Sequence, residues 1–474
     1  MSIVRSLIGY APAVVLPRLV SLILLVVLTR LISRDEYGLW VLVATIGEAV
    51  DATASNWVRM ALARFASGRP RALGAESLRS LKIHLATLVL SWGVTIVLAL
   101  VMQLDRRFEF AVASVLYLTA TMILRYPSTL MSVTGDRIGI VTMEAAKAAG
   151  ILVLGVAVTF VSTSFFAQAM VFVVVTTAAG AWGWRRAWRD VDLRAGAVEP
   201  LSGFLGYGLP IVPAAIVTSV IASSDRLWLN HSDGAAAVAL YAAGVMLARQ
   251  PIDFLFSLAG VRVFPLLMAD WEEGGAALAG RRLSELVSGV AFITFPAAAG
   301  IVLVAEPMAS LLLAPDYVAA AVVVLPWAVA TGLVGGFKSF VLDQIFHMVK
   351  RNGLNATISL PAAAVGLVAL AVLVPRWGIL GCAVAYFVQF AVLFAITVVV
   401  TRRFVALPVP WLDLGRVIAA TIAMSLAVVL VGGLVAAAPT VVRLVAQIAT
   451  GILAYGAAAY VLRPAALVEF LPRR

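Results

Sequence analysis

The chain is a succession of long apolar runs separated by short charged or Pro/Gly-rich breaks. In the first half the runs cover residues 10–31, 38–65, 80–104, 108–131, 139–162 and 164–185. A polar stretch from Arg186 to Pro200 follows, then runs at 206–231, 236–264, 284–305, 318–345, 353–374 and 379–401. A last pair occupies 411–434 and 440–462. Each run reaches the roughly 20 residues that carry a helix across a bilayer. The pattern predicts an all-α polytopic membrane protein of about fourteen transmembrane helices. An even number of crossings puts both termini on one side.

Composition agrees and narrows the classes. The 474 residues are 63% hydrophobic and only 12% charged, too few charges to cover a soluble protein of this length. About fourteen crossings of about 22 residues leave loops and tails of about 11 residues each, with no room for a catalytic domain outside the membrane. The net charge of +11 invites a nucleic-acid reading, but the basic residues sit mostly between apolar runs, where they act as topogenic charge. Nucleic acid is therefore not an expected partner. The single cysteine, Cys382, lies in an apolar run, and His84, His231 and His347 lack metal-ligand spacing, so neither a disulfide, a metal nor a cofactor is expected. No Ser/His/Asp grouping, phosphate-binding loop or acidic pair on a sizeable loop points to an enzyme. The N-terminus carries only Arg5 before a run too long for a signal-peptide core, so that run is read as the first span.

Orientation follows from the loop charges. One set of loops holds Arg69, Arg71, Arg79, Lys82, Arg137, Arg185, Arg186, Arg189, Arg194, Arg281, Arg282, Lys350, Arg351, Arg402 and Arg403. The tails add Arg5, Arg463, Arg473 and Arg474, whereas the opposite loops hold Arg30, Arg34, Arg106, Arg107 and Arg376. Nineteen against five places both termini in the cytoplasm.

A shift of about 201 residues brings Pro12 onto Pro213, Leu28 onto Leu229, Gly38-Leu39-Trp40 onto Ala239-Leu240-Tyr241 and Glu48 onto Arg249. A shift near 215 brings Asp136-Arg137 onto Arg351-Asn352. The simplest organisation is two six-helix bundles in parallel repeat, residues 1–195 and 200–405, with a terminal helix pair and cytoplasmic tail at 406–474.

Charges inside apolar runs are the informative residues, because an ionised group near the bilayer centre needs a wet cavity or a partner. Glu48, Asp51, Ser55 and Arg59 follow one another at spacings of three, four and four, which share a helix face. They line a cavity or lock helices together. Arg249 and Asp253 stand at i,i+4 beside Pro251, and Glu144 and Lys147 at i,i+3. Arg18, Arg125 (two before Pro127), Asp225-Arg226, Lys338 and Asp343 complete the set, while Arg64 and Arg262 are close enough to helix ends to snorkel. The terminal pair has little embedded charge beyond Arg416 and Arg443 at its edges, which suits a peripheral place. Bases slightly outnumber acids, which favours an anionic ligand such as phosphate. The prolines at 12, 17, 210, 213, 251 and 361 permit kinks that serve as hinges or as ordinary curvature.

Several stretches also carry a family likeness: LTRLISRDEYGLW (Leu28–Trp40) followed by Arg64-Phe65, GYGLPIVP (Gly206–Pro213), SDRLWL (Ser224–Leu229), ALY (Ala239–Tyr241), LLAPDYVAA (Leu312–Ala320) and PRWGILGCAVAY (Pro375–Tyr386). In order and spacing they resemble the bacterial polysaccharide flippases of the multidrug/oligosaccharidyl-lipid/polysaccharide exporter (MOP) superfamily, over nearly the whole chain. The resemblance implies two pseudo-symmetric six-helix bundles around a central cavity, which alternate between inward- and outward-open forms. It also implies an undecaprenyl-pyrophosphate-linked oligosaccharide moved from the cytoplasmic to the periplasmic leaflet of the inner membrane. Membrane lipids, a polysaccharide polymerase and other assembly proteins are the expected partners. No functional residue of that family is fixed by a motif here, so site assignments rest on the embedded charges. Arg18, Arg59, Arg125, Arg249 and Lys338 are the expected pyrophosphate contacts. Glu48, Asp51, Asp225, Asp253, Glu144 and Lys147 are expected to balance charge or to bind a coupling proton or Na⁺. The rivals are a multidrug antiporter, for which an acid-rich cavity would be natural, a peptidoglycan lipid-precursor flippase, and a non-transporting scaffold for polysaccharide assembly.

Overall fold

The computed structural model describes residues 3–66, 74–102, 104–189, 191, 200–351, 353–406 and 408–465, without the side chains of residues 3–15 and 258–265. Arg69, Arg71, Arg194, Asn352, Arg473 and Arg474 therefore lie outside the described residues, as do the side chains of Arg5, Pro12 and Arg262. Every regular element among the described residues is helical. In order they are α1 (Ile3–Leu31), α2 (Arg34–Ala54), α3 (Asn56–Ala66), α4 (Gly74–Val101), α5 (Arg107–Thr134), α6 (Arg137–Thr159), α7 (Phe165–Ala187) and α8 (Leu201–Gly208). There follow α9 (Ile211–Leu303), α10 (Ala305–Leu312), α11 (Pro315–Phe337), a π-helical turn (Lys338–Leu342), α12 (Asp343–Met348), α13 (Gly353–Thr401), α14 (Trp411–Leu434) and α15 (Thr440–Leu462).

Ten helical runs among the described residues are long and apolar enough to cross a membrane. Two of them, Leu201–Ser257 and Gly353–Thr401, contain 57 and 49 residues. At 1.5 Å per residue these would be about 85 and 74 Å long, far more than one bilayer. Each is turned by a glycine with positive φ, Gly234 at 83° and Gly378 at 52°. Those turns match the breaks read at 231–236 and 374–379 in the sequence. Counting the two turned runs twice, and adding α1 and the α2–α3 pair, accounts for fourteen crossings. The chain is an all-α, multi-pass membrane protein.

α4 shows what such a helix does with its faces. Besides Gly74 and Glu76 at its start, its buried positions are Ser77, Ser80, His84, Thr87, Ser91, Thr95 and Ala99, while Val89, Leu90, Val97 and Leu100 are more than half exposed. A soluble protein would reverse that arrangement. Here small and hydroxyl-bearing residues make the helix contacts and aliphatic ones face outward, as packing within lipid requires.

Contacts divide the chain into two compact units, Met1–Ala239 and Leu240–Arg474, with the boundary inside α9. In the first unit α5 packs along α7 and α2, α6 packs on α1 and α7, and α4 on α2 and α5. Glu36 ties three helix ends together. Its two oxygens accept from Arg106, at the start of α5, and from the backbone N–H of Phe165, at the start of α7, each at 2.6 Å. Ser33 caps α2 by accepting the Glu36 N–H, so the cap holds the clamp in place. Gly38 passes so close to the carbonyl of Ala235 that any Cβ would collide with it. In the second unit α11 packs on α13, and α14 packs on α15, which also touches α10.

A charge cluster on α2, α3 and α5 as the candidate site

The run at 38–65 is not one helix. It breaks at Ser55, whose N–H still bonds Asp51 O at 3.1 Å, and resumes as α3. The Glu48–Asp51–Ser55–Arg59 stripe nevertheless stays on one side. Arg59 reaches back eight residues and grips Asp51 with two parallel hydrogen bonds of 2.8 Å, a planar fork on a carboxylate. Neither residue is accessible to any extent: the Asp51 side chain is 0% exposed and that of Arg59 7%. Arg125 arrives from α5. One of its nitrogens also binds Asp51, and the other donates to Glu48 Oε2 at 2.5 Å. This second pair is open, with Arg125 36% and Glu48 46% exposed. Tyr117, one helical face up α5, donates to the other Glu48 oxygen at 3.2 Å.

The four charges thus form two tiers. Asp51–Arg59 is sealed among helices and Glu48–Arg125 stands at an accessible edge, with Arg125 bonded to both acids. Local backbone chemistry supports that position. Pro127 has no N–H for the carbonyl of Ile123, and Trp184 from α7 supplies the missing donor at 2.8 Å. α5 therefore continues through the proline without a buried orphan carbonyl two residues from Arg125.

The other expected residues stay outside this cluster. Glu144 and Lys147 pair with each other on α6 at 2.6 Å. Arg18 is half-buried on α1, and Asp225 is buried on α9, where it accepts the N–H of Arg226 at 2.8 Å. In the second unit Arg249 pairs with Asp253 at 3.3 Å and lies 5.9 Å from the Phe390 ring, beside a narrow crevice that Tyr241, Thr331 and Tyr386 also line. Its Nε is buried with no hydrogen-bond partner among the described residues. Lys338, at the start of the π-helical turn, donates to Asp343 at 2.9 Å and to Asn355 at 2.7 Å, and is only 8% exposed.

Tyr117, Asn56 and Asn355 escaped the sequence reading, which weighed only ionisable groups. Asn56 lies 3.4 Å from Arg59 and follows the Ser55 break directly. An embedded amide three residues from an arginine was the available signal. Nothing local marks Tyr117, because its partner Glu48 is 69 residues away. Among the described residues no group of His, Cys, Asp and Glu is placed to hold a metal ion.

The chemistry on offer is that of a guanidinium exchange point. Arg125 holds its inner nitrogen on a fully buried carboxylate. Its outer nitrogen is held by a half-exposed one, so an incoming anion can compete for one end of the fork while the other stays anchored.

No family model matches this chain, and no curated relative does. Solved structures do match in fold. The lipid II flippase MurJ in an inward closed conformation aligns with a TM-score of 0.72 at 14% identity, covering 96% of this chain and 98% of that one. A MOP superfamily transporter from Pyrococcus furiosus aligns at 0.61 and 15% identity, over 85% and 94% of the two chains. An inward-facing multidrug resistance MATE family transporter of the same superfamily aligns at 0.58 and 12%, over 82% and 93%. The chain therefore has the fold of the MOP superfamily transporters.

Proposed function

We propose that the protein is a flippase that carries an undecaprenyl-pyrophosphate-linked oligosaccharide from the cytoplasmic to the periplasmic leaflet of a bacterial inner membrane by alternating access. The observation that carries this reading is the Arg125 guanidinium, embedded in a membrane helix yet 36% exposed and shared between a sealed and an open carboxylate. The pyrophosphate is the charged group that every such substrate carries. An oxygen of it displaces Glu48 from the outer nitrogen of Arg125, and because Glu48 stays beside the site the added negative charge is offset only when the freed carboxylate binds a cation. The released Glu48 then takes up the coupling proton or Na⁺. Arg249, with its unpartnered Nε, and Arg18 offer further cationic contacts, and Asp225 and Asp253 balance them. Lys338, held by Asp343 and Asn355, acts by keeping the π-helical turn in shape. Both termini lie in the cytoplasm, as the nineteen-to-five division of loop charge requires. A polymerase and other assembly proteins take the product outside.

The test is leaflet-resolved accumulation of a labelled lipid-linked sugar in a deletion strain. Loss of the protein should strand the sugar on the cytoplasmic side. Arg125→Gln and Arg249→Ala should fail to restore surface polysaccharide while reaching the membrane at wild-type levels. Normal polymer from either variant removes that residue from the substrate path.

A second reading, a peptidoglycan-precursor flippase, draws on one observation. The MurJ alignment covers 96% of this chain, against 82% and 85% for the MATE and Pyrococcus alignments. The terminal pair, whose charges Asp413, Arg416 and Arg443 sit only near its helix ends, argues the other way. Depletion decides, because loss of that activity kills the cell whereas loss of a polysaccharide flippase strips its surface.

A further inference from the structure

We propose that the second unit carries a headgroup site for an aminophospholipid, of the phosphatidylethanolamine type, where α9, α14 and the end of α15 meet. A cavity of about 360 Å³ lies there, walled by Ser284, Glu285 and Ser288 of α9 and by Trp411, Asp413 and Arg416 of α14. None of these residues belongs to the charge cluster on α2, α3 and α5. Asp413 is 8% exposed and uses one carboxylate oxygen to accept the N–H of Ala465 at 2.6 Å. Its other oxygen is buried with no partner among the described residues. A buried carboxylate oxygen left in that state calls for a donor, and a cationic one is favoured.

Arg416 stands three residues on, along the same helix face, with one nitrogen 3.3 Å from the carbonyl of Arg463. It offers a phosphate the rest of its planar fork. Ser284 and Ser288, at i,i+4 on α9, also line the cavity. The mouth is apolar and open: Trp411 and Leu412 are 75% and 72% exposed, as expected of residues set at the headgroup level. Ile422 and Leu453, 55% and 73% exposed along α14 and α15, offer apolar surface to acyl chains on the same side of the membrane.

A ligand that fits must carry a phosphate and a primary ammonium a few bonds apart. A choline headgroup has a cation but no N–H to give Asp413, and a glycerol headgroup has no cation. That the site faces the cytoplasmic leaflet rests on the orientation proposed above; its choice of lipid does not.

The experiment uses the full-length protein, purified and stripped of lipid in detergent. It is titrated with phosphatidylethanolamine, phosphatidylglycerol and phosphatidylcholine of identical acyl chains, and bound lipid is counted by native mass spectrometry. Phosphatidylethanolamine should bind on the order of tenfold more tightly than the other two, the scale of one charged hydrogen bond. Asp413→Asn should reduce it to the level of phosphatidylglycerol, and Arg416→Gln should weaken all three. Should Asp413→Asn fail to fold, Ser284→Leu narrows the cavity from α9 without touching a charge and should lower phosphatidylethanolamine binding in a monodisperse protein. Three lipids of equal affinity, or a preference that survives both the Asp413 and Ser284 variants, overturns the proposal. So does inorganic phosphate that raises the apparent Tm as much as the lipid does, which would make this a free-phosphate site. Transport is not measured at any point, so a failure here is distinct from a failure of the flippase reading.

Discussion

Asp51 and Glu48 are both carboxylates bonded to Arg125, yet their removal should have opposite consequences. Asp51→Asn keeps the side-chain shape and deletes a charge that two guanidiniums share. Arg59, 7% exposed, is then left with two neutral amide oxygens, that of the new Asn and that of Asn56 at 3.4 Å. Removing one partner of a buried ion pair costs about 3–5 kcal/mol, because the other charge remains desolvated and unpaired. Glu48→Gln breaks a pair whose members are 46% and 36% exposed, and such pairs are worth about 0–1 kcal/mol. Within a unit of 239 residues, each kcal/mol moves Tm by about 2–4 °C. Asp51→Asn should therefore lower the apparent Tm by on the order of 10 °C, and Glu48→Gln by less than about 4 °C.

The assay is intrinsic tryptophan fluorescence during heating in detergent, at one scan rate for all variants because unfolding of such a protein is irreversible. A double variant sharpens it. Arg59→Met in the Asp51→Asn background removes the stranded cation, so the pair of changes should be less harmful than Asp51→Asn alone. Strict additivity of the two, or an Asp51→Asn protein within about 3 °C of wild type, would refute the two-tier account. Glu48→Gln should instead show its effect in transport, since it frees the outer end of Arg125 permanently.

Two further outcomes concern the scaffold. Gly38→Ala drives a Cβ into the Ala235 carbonyl, and a backbone atom cannot step aside as a flexible side chain does, so a loss of about 1–3 kcal/mol is expected in the same heating assay; an unchanged Tm would show that α2 and α9 are not in close contact there. Asp136 caps α6 and is held by Arg186 at 2.5 and 2.9 Å, and the hydrogen bonds from Arg186 depress its carboxyl below the ordinary 3.8. A depressed carboxyl contributes stability that is present above its unfolded pKa and lost as pH falls through the folded one. Wild type should thus lose more Tm than Asp136→Asn as pH is lowered through the carboxylate range, and parallel Tm–pH curves would rule the contribution out.

How much of this could be read from the chain depends on the distance over which each feature is set. The terminal runs at 411–434 and 440–462 coincide with α14 and α15, since Pro/Gly breaks and a solid apolar composition fix both ends. The turns at Gly234 and Gly378 follow from glycine beside short polar or Pro-containing stretches. The break at Ser55 has neither Pro nor Gly, and the run 38–65 was read straight through it. The cluster lies at the far end of this scale. Periodicity put Glu48, Asp51 and Arg59 together on one face, because that relation is local. That Arg125 would meet Glu48, 77 positions away, depends on how α5 packs against α2, and no pattern in either helix states it. Arg249 and Asp253, four residues apart, were legible as a pair; Lys338 and Asn355, separated by a chain reversal, were not.

Two readings of the embedded stripe were open from the sequence: a wet cavity lining, or an ion lock between helices. The structure buries one pair, Asp51–Arg59, and leaves the other, Glu48–Arg125, partly exposed, so under the proposed function each reading has its own pair. A lock alone would bury both acids, as Asp51 is buried, and leave nothing for a ligand to displace. A lining alone would leave each arginine free to leave with its ligand, and binding would not be transmitted to the helices. Arg125 joins the two because its planar fork spans both carboxylates at once. Under the proposed function, an anion that takes its outer nitrogen would pull against an inner contact shared with Arg59, passing the load from α5 into α2 and α3 across the Ser55 break. That break is where the stripe changes helix. On that proposal it is the point at which a change in occupancy at the exposed edge would become a change in helix geometry.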